Sequence, residues 1–388
     1  MTLAYFFSVV TLSFAFALRP DADPNQPAWL GAQALQAGQR ATPSAAQPPD
    51  ATRLTLEGNT ALKERRYADA LDAFTAATRL VPLDPNLHFL SGYSAYLLGQ
   101  FAAARPSLER ALSLNPRLTD ASTVLGLVLY RLGNVADAVK ALEAGQKYAP
   151  ANKDIADLLV KWRPEAVSQR DRFEARGAHF SVLFEGPGDD LVARRIVDLL
   201  EDAYWRIGAA LSTYPTEPVT VVLYTTEQFR VAANAPDWAG AMYDGRIKIP
   251  TVGALQNSAD LKSTLAHEFT HAVVAQLAGG AAPKWLNEGL AGLMESNDFT
   301  RFEQVLARSP RRLPHAQLER DFSGLSSGDA ALAYAQSAVA VRKMMDLRGV
   351  PAVVALLQAL GRGTRFDQAF QSTIAMRYED FVSMLARY

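Results

Sequence analysis

The sequence predicts a multidomain chain, in which an all-α solenoid of helical repeats is followed by an α+β domain. Five columns of small, large apolar or proline residues recur every 34 residues between positions 58 and 150. From residue 177 onward, short alternating and β-branched runs are mixed with segments of helical spacing. Within this second part stands the run His267-Glu268-Phe269-Thr270-His271, which has the form H-E-x-x-H.

Composition sets the limits within which these patterns are interpreted. A chain of 388 residues has room for two domains, and 49% apolar with 20% charged residues suits globular folding. The net charge of −1 gives no reason to expect a nucleic acid partner. The absence of cysteine excludes disulfides, thiol catalysis, thiolate zinc ligands and a lipid-modified N-terminal cysteine.

The N-terminus predicts a targeting segment followed by a linker. The apolar run from Leu3 to Leu18 is shorter than the roughly 20 residues of a membrane span and is nearer the length of a signal-peptide core. Residues 1–22 are therefore predicted to be a signal peptide or a signal anchor. Either implies a periplasmic or secreted protein, and an uncleaved anchor would be its one attachment to the membrane. No Lys or Arg precedes the run, so a cytoplasmic start remains the alternative. Residues 23–50 are rich in Pro, Ala and Gln and predict a flexible linker.

Residues 51–175 resemble tetratricopeptide repeats, whose 34-residue unit is a pair of antiparallel helices. Small residues let the paired helices approach closely, large apolar residues fill the space between them, and prolines follow each second helix. We expect three repeats and a capping helix from Asn152 to about Glu174. Such repeats offer a surface for a protein partner, although a spacer or dimerisation module would use the same architecture. The repeating columns are Gly58, Gly92 and Gly126; Tyr67, Phe101 and Val135; Ala70, Ala104 and Ala138; Phe74, Leu108 and Leu142; and Pro82, Pro116 and Pro150.

Residues 177–388 predict a small sheet, a motif-bearing helix and a helical lobe. Strands are expected from His179 to Phe184 and from Val219 to Tyr224, with a helix from Asp190 to Leu211 between them. The dipeptide Asp244-Gly245 predicts a turn between two extended segments. The helix that carries the H-E-x-x-H run is expected to end at Gly279-Gly280.

The H-E-x-x-H run predicts a metal site. Two histidines four residues apart point to the same side of a helix and can hold one zinc ion, and Glu268 between them can take a proton from a metal-bound water. Zinc hydrolases commonly use three protein ligands and leave one position for water. The third ligand can be an Asp, a Glu or His315. Glu288, 17 residues after His271, follows a helix break and can fold back to the metal.

Together with Trp285-Leu286-Asn287-Glu288-Gly289-Leu290-Ala291, this run resembles the gluzincins, the thermolysin-like zinc peptidases. It is most similar to the bacterial peptidase MA-like domains that are often joined to tetratricopeptide repeats. The resemblance implies that one Zn²⁺ is held by His267, His271 and Glu288 and that Glu268 is the general base. On the same basis Tyr334 is the expected oxyanion donor, with His315 as second choice. The substrate polypeptide is expected to add itself as a strand along the segment Trp238 to Ile249.

Two departures from the gluzincin pattern qualify this interpretation. Gly240-Ala241-Met242 matches the start of the G-A-M-E-N signature of gluzincin aminopeptidases, but Tyr243 and Asp244 replace its last two residues. The glutamate that holds a free amino group is therefore missing, which argues against a strict aminopeptidase. Gly292 stands where thermolysin-like enzymes place an Asp that orients a ligand histidine, so Glu295 or Asn287 is expected to take that role.

The sequence thus predicts a zinc metallopeptidase that cleaves within extended polypeptides and recruits substrate or a partner through its repeats. One alternative is an interaction or scaffold protein whose zinc domain is catalytically inactive. Another is a zinc hydrolase that acts on a substrate other than protein, such as a cell-wall peptide.

Overall fold

The computed structural model describes residues 48–168, 172–233, 240–251, 258–295, 298–320, 322 and 324–385. The predicted signal segment and all but the end of the predicted linker lie outside these residues. The chain divides into two compact units, and the boundary lies between Arg172 and Phe173.

The described part of the first unit is built from seven helices. Helices α1 to α6 form three antiparallel pairs, and α7 follows the third pair. They are α1 (Pro49–Lys63), α2 (Tyr67–Leu80), α3 (Pro85–Leu97), α4 (Phe101–Leu114), α5 (Thr119–Arg131), α6 (Val135–Gln146) and α7 (Lys153–Ser168).

The repeating columns explain why the helices pair. A Cβ atom at Gly58 would lie 2.7 Å from the Phe74 ring; at Gly92 it would lie 2.7 Å from Leu108, and at Gly126 it would lie 2.8 Å from Leu142. Each glycine therefore lies against the large residue of its own repeat. The alanine column is fully buried in all three repeats, and the column of Tyr67, Phe101 and Val135 begins the second helix of each pair.

The second unit contains a five-stranded mixed sheet in the order β1-β2-β3-β5-β4. Strands β2, β3 and β5 are parallel, whereas β1 pairs antiparallel with β2 and β4 pairs antiparallel with β5. The strands are β1 (Phe173–Arg176), β2 (Phe180–Phe184), β3 (Val219–Tyr224), β4 (Met242–Tyr243) and β5 (Ile247–Pro250). In the described sheet, β4 is therefore an edge strand and β5 is internal.

The remaining helices cover the sheet and continue into the C-terminal lobe. One core cluster extends from the sheet through α8 and α10 to the last helices. No single described helix is long and apolar enough to cross a membrane. The consecutive helices Ser327–Arg348 and Val350–Gly361 together reach the required length and hydrophobicity, but the chain bends by 111° between them. The helices are α8 (Asp190–Leu211), α9 (Thr226–Ala233), α10 (Ser258–Ala278), α11 (Lys284–Glu295), α12 (Thr300–Arg308), α13 (His315–Leu318), α14 (Ser327–Arg348), α15 (Val350–Gly361), α16 (Phe366–Ile374) and α17 (Tyr378–Leu385).

Two segments differ from the sequence-based expectation. The capping helix α7 ends at Ser168, and Phe173–Arg176 forms strand β1 instead of continuing toward Glu174 as helix. The segment expected to form the edge of the sheet turns back on itself at Gly245, whose φ of 101° suits glycine. Only β4 lies at the edge, because the second half of the segment becomes the internal strand β5. Trp238 lies outside the described residues.

Candidate metal centre

The H-E-x-x-H run lies on α10, a helix that is buried on most of its faces. Leu265, Phe269 and Val273 are fully buried and belong to the main core of the second unit. A helix enclosed in this way is held by packing around its circumference, so its polar side chains have fixed positions. Helix α10 ends at Gly279-Gly280, as the sequence predicted. These two glycines have φ values of 56° and 82°, a conformation that commonly ends a helix.

The structure brings His267, His271 and Glu288 together. One ligand atom from each of the three lies within 4.8 Å of the other two, and all three residues are buried. Oε2 of Glu288 is 3.2 Å from Nε2 of His267 and 3.6 Å from Nε2 of His271. Two imidazoles and one carboxylate are a typical donor set for a catalytic zinc ion.

Hydrogen bonds to the other ring nitrogen orient both histidines. Nδ1 of His267 lies 2.5 Å from Oε1 of Glu295, and Nδ1 of His271 lies 2.9 Å from Oδ1 of Asn287. Both partners are acceptors, so each Nδ1 donates and each Nε2 faces Glu288. The sequence left Glu295 and Asn287 as alternatives for one role, and the structure uses both, one for each histidine.

Glycine at position 292 is explained by packing. A Cβ there would come within 3.0 Å of the Phe302 ring, which fills the space beside this turn of α11. Glu295, three residues further along, reaches His267 instead, and Arg301 forms an ion pair with the other oxygen of Glu295. Glu295 therefore supplies the carboxylate for His267 that an Asp at position 292 would supply in the thermolysin-like pattern.

Glu268 is completely buried, and neither of its carboxylate oxygens has a hydrogen-bond partner among the described residues. Nε2 of His271 is also buried without such a partner. Buried polar atoms are nearly always paired, so these two groups fit a site that takes a metal ion and a water molecule. Burial raises the pKa of Glu268 to about 8.

Burial and neighbouring charges strongly shift the pKa values of the three candidate ligand side chains. Burial by itself would lower the pKa of His267, but its hydrogen bonds to Glu288 and Glu295 outweigh this and raise it to about 10. Burial lowers the pKa of His271 to about 4. Burial would raise the pKa of Glu288, but the positive charge of Lys284 and the histidines bring it well below its usual range.

Tyr334 lies beside this cluster on α14. Its half-buried ring is 6.4 Å from the His267 ring and makes an edge contact with Phe322 at 5.4 Å, centroid to centroid. His315 is engaged elsewhere: its Nε2 bonds to the hydroxyl of Tyr378, and its ring packs at 5.5 Å from Trp285. Trp285 is fully buried and anchors α11 in the core.

Sequence reasoning missed Lys284 and Arg301. Lys284 precedes Glu288 by four residues on one helix, a spacing that places both side chains on the same face and could have indicated the contact. Arg301 lies on the next helix, α12, and no local spacing connects it to Glu295.

Family models match both parts of the chain. Residues 200–381 match the Peptidase MA superfamily, and residues 55–117 and 91–154 match the tetratricopeptide repeat. The first of these matches includes every residue of the candidate metal centre.

Similarity to curated proteins covers only part of this chain. A heat-shock protein cognate co-chaperone, sgt12, from Aspergillus fumigatus is 32% identical over 168 residues, which are 43% of this chain and 46% of that protein. The Hsp70-Hsp90 organizing protein of Triticum aestivum is 26% identical over 101 residues, which are 26% of this chain and 17% of that protein. The chain thus spans less than half the length of either relative.

Among solved structures, the first tetratricopeptide repeat domain of Spaghetti (RPAP3) bound to an HSP90 peptide covers 32% of this chain and 100% of the solved chain, with 25% identity and a TM-score of 0.30. By the family models, residues 200–381 of this chain thus resemble the Peptidase MA superfamily, and residues 55–154 resemble tetratricopeptide repeats.

Proposed function

We propose that the second unit is a zinc-dependent metallopeptidase. The observation that supports this most directly is the buried cluster of His267, His271 and Glu288. The neighbouring carboxylate of Glu268 has no hydrogen-bond partner among the described residues. The two histidines and Glu288 would hold the zinc ion. Such an ion supplies a Lewis acid and lowers the pKa of a bound water to about 7.

The residues of the chain then have distinct roles. Glu268 accepts the proton of the attacking water and delivers it to the leaving amine. Tyr334, next to His267, donates a hydrogen bond to the oxyanion. Asn287 and Glu295 fix the rings of the two histidines.

We propose cleavage within extended polypeptide segments. Strand β4 packs against α10 and lies at the edge of the described sheet, where a substrate can add itself as a further strand. Tyr243 stands on this strand, at the position where gluzincin aminopeptidases carry the glutamate that holds a free amino group. The site therefore has no such group at that position to require a substrate N-terminus.

The test compares the wild type with Glu268→Gln. After measurement of bound zinc, both proteins are incubated with unfolded casein, and Glu303→Gln, at an exposed glutamate of α12, serves as the matched control. We expect Glu268→Gln to retain zinc and to lose about 10²–10⁴-fold in cleavage rate, while the control cleaves like the wild type. Equal cleavage by all three proteins would remove Glu268 from the mechanism.

A second function is proposed for the repeats. Two curated proteins that resemble part of this chain are named as a co-chaperone and as an Hsp70-Hsp90 organizing protein, which suggests a protein partner here as well. Zinc binding without cleavage of any polypeptide would favour a scaffold whose zinc domain is inactive. Residues 1–22 are proposed to direct export as a signal peptide or signal anchor, and N-terminal sequencing of the protein from each cell fraction tests this.

A further inference from the structure

Lys284 is an ammonium group enclosed within the candidate metal centre. Its side chain is 8% exposed, and its Nζ lies 2.8 Å from Oε1 of Glu288, which is completely buried. Lys284 and Glu288 therefore form a close ion pair. Oε1 of Glu288 does not accept a hydrogen bond from Lys284, because the geometry between the two groups is unsuitable. The proposed mechanism assigns no role to this lysine.

The geometry divides the two oxygens of Glu288 between different partners. Oε1 faces Lys284, while Oε2 faces Nε2 of both histidines. Lys284 also lies 5.9 Å from the centroid of Phe322, the ring that packs against Tyr334. The ammonium is thus held between the carboxylate of Glu288 and the ring of Phe322.

The charges of the centre show why a cation is needed there. Three buried carboxylates, those of Glu268, Glu288 and Glu295, lie around the site. Arg301 is paired with Glu295, and Lys284 is paired with Glu288, whose other oxygen also contacts His267. A buried carboxylate without a counter-charge strongly destabilises a fold, and a metal ion would supply that charge only once it is bound.

We propose that Lys284 is a positioning residue, a built-in counter-ion that holds Oε1 of Glu288 before metal is loaded and keeps Oε2 directed toward the two histidines. This inference rests on the proposed zinc site. When zinc binds, its two positive charges take over the neutralisation of Glu288, so the stability of the fold depends less on Lys284 in the zinc-loaded protein than in the metal-free protein.

The experiment measures the melting temperature of the full chain, with and without zinc, for the wild type and Lys284→Met. We expect Lys284→Met to lower the melting temperature of the metal-free protein by roughly 5–10 °C. In zinc the difference between the two proteins shrinks, so zinc raises the melting temperature of the variant more than that of the wild type. Lys284→Arg keeps the charge and restores most of the loss.

Two further variants make the result specific. Lys262→Met removes an exposed lysine from α10 and should match the wild type with and without zinc. The double variant Lys284→Met/Glu288→Gln removes both charges, so in the metal-free state it should be more stable than Lys284→Met alone. This comparison remains decisive if the single variant fails to fold.

Three results would count against these proposals. A metal-free Lys284→Met protein as stable as the wild type would overturn the counter-ion role, and so would an equal loss of stability with and without zinc. A wild type that zinc does not stabilise would refute the zinc site. In that case the double variant still decides whether Lys284 neutralises Glu288.

Discussion

At the scale of single residues, each candidate ligand has its own neighbour. Glu295 bonds to His267, Asn287 bonds to His271, and Lys284 pairs with Glu288. Partners of this kind commonly change metal affinity by about 10–100-fold when they are removed, because they fix the direction of the ligand atom. The contributions of the three partners can therefore be measured separately.

The first prediction concerns Asn287. Replacement by Leu removes the acceptor at Nδ1 of His271, so that ring loses the bond that holds Nε2 toward Glu288. We expect zinc affinity to fall about 10–100-fold, measured by competition with a chromophoric chelator. Asn59→Leu, in the repeat unit, is the control and should leave the affinity unchanged; equal affinity in both variants would contradict the prediction.

The second prediction concerns pH. The pKa of Glu268 is raised to about 8 in the metal-free fold, whereas an unfolded glutamate releases its proton near 4.5. Between these values the folded state binds more protons, so the free energy of unfolding falls as pH rises from about 5 to 8. Glu268→Gln should remove this part of the pH dependence, on the order of a few kcal/mol, in denaturant titrations of metal-free protein. If the free energy of unfolding depended on pH in the same way in both proteins, Glu268 would not be the source of this dependence.

At the scale of elements, α11 depends on close packing against α14. A Cβ at Gly289 would stand 2.3 Å from the backbone oxygen of Ser337, a distance that no rotamer change can relieve. Gly289, which follows the candidate ligand Glu288, therefore allows the two helices to touch. This contact also holds the helix of Tyr334 next to the helix of Glu288.

The third prediction follows from this contact. Gly289→Ala should force α11 away from α14 and destabilise the second unit by a few kcal/mol, on the order of other overpacked cores. Gly328→Ala, near the start of α14, is the matched control, because a Cβ there meets nothing within 4 Å. Thermal unfolding measures both, and a Gly289→Ala protein as stable as its control would disprove the contact.

The sequence predicted elements well where the pattern was long. Helix α8 runs from Asp190 to Leu211 as expected, because 22 residues carry a clear apolar periodicity. Strand β1 was missed because four residues are too few to show alternation, and pairing with β2 creates the strand. Partners such as Arg301 were also out of reach, because only the tertiary fold brings α12 beside the end of α11.

At the scale of the whole molecule, the two units have separate cores. The cluster of the repeats extends from Ala61 to Ala166, and that of the second unit extends from Ala175 to Phe381. A unit with its own core can fold by itself. The second unit begins at Phe173, so a fragment of this unit must include strand β1.

The fourth prediction tests this separation. A fragment of residues 173–388 should fold cooperatively and bind zinc with the affinity of the full chain, as judged by circular dichroism and chelator competition. A fragment that starts at residue 177, the boundary expected from sequence, lacks β1 and exposes the flank of β2, so it should melt at a lower temperature. Failure of the longer fragment to fold would show that the units depend on each other.

Helix α11 carries Lys284, Asn287, Glu288 and Glu295 within its 12 residues. Successive residues of a helix are rotated by about 100° around its axis, so one inserted or deleted residue midway along α11 would turn part of this set away from the histidines. A substitution changes one of these contacts, whereas a change in the length of this helix displaces several of them at once. A reading of related genes for inserted or missing codons at this point would therefore separate copies that can still hold a metal from copies that have lost it.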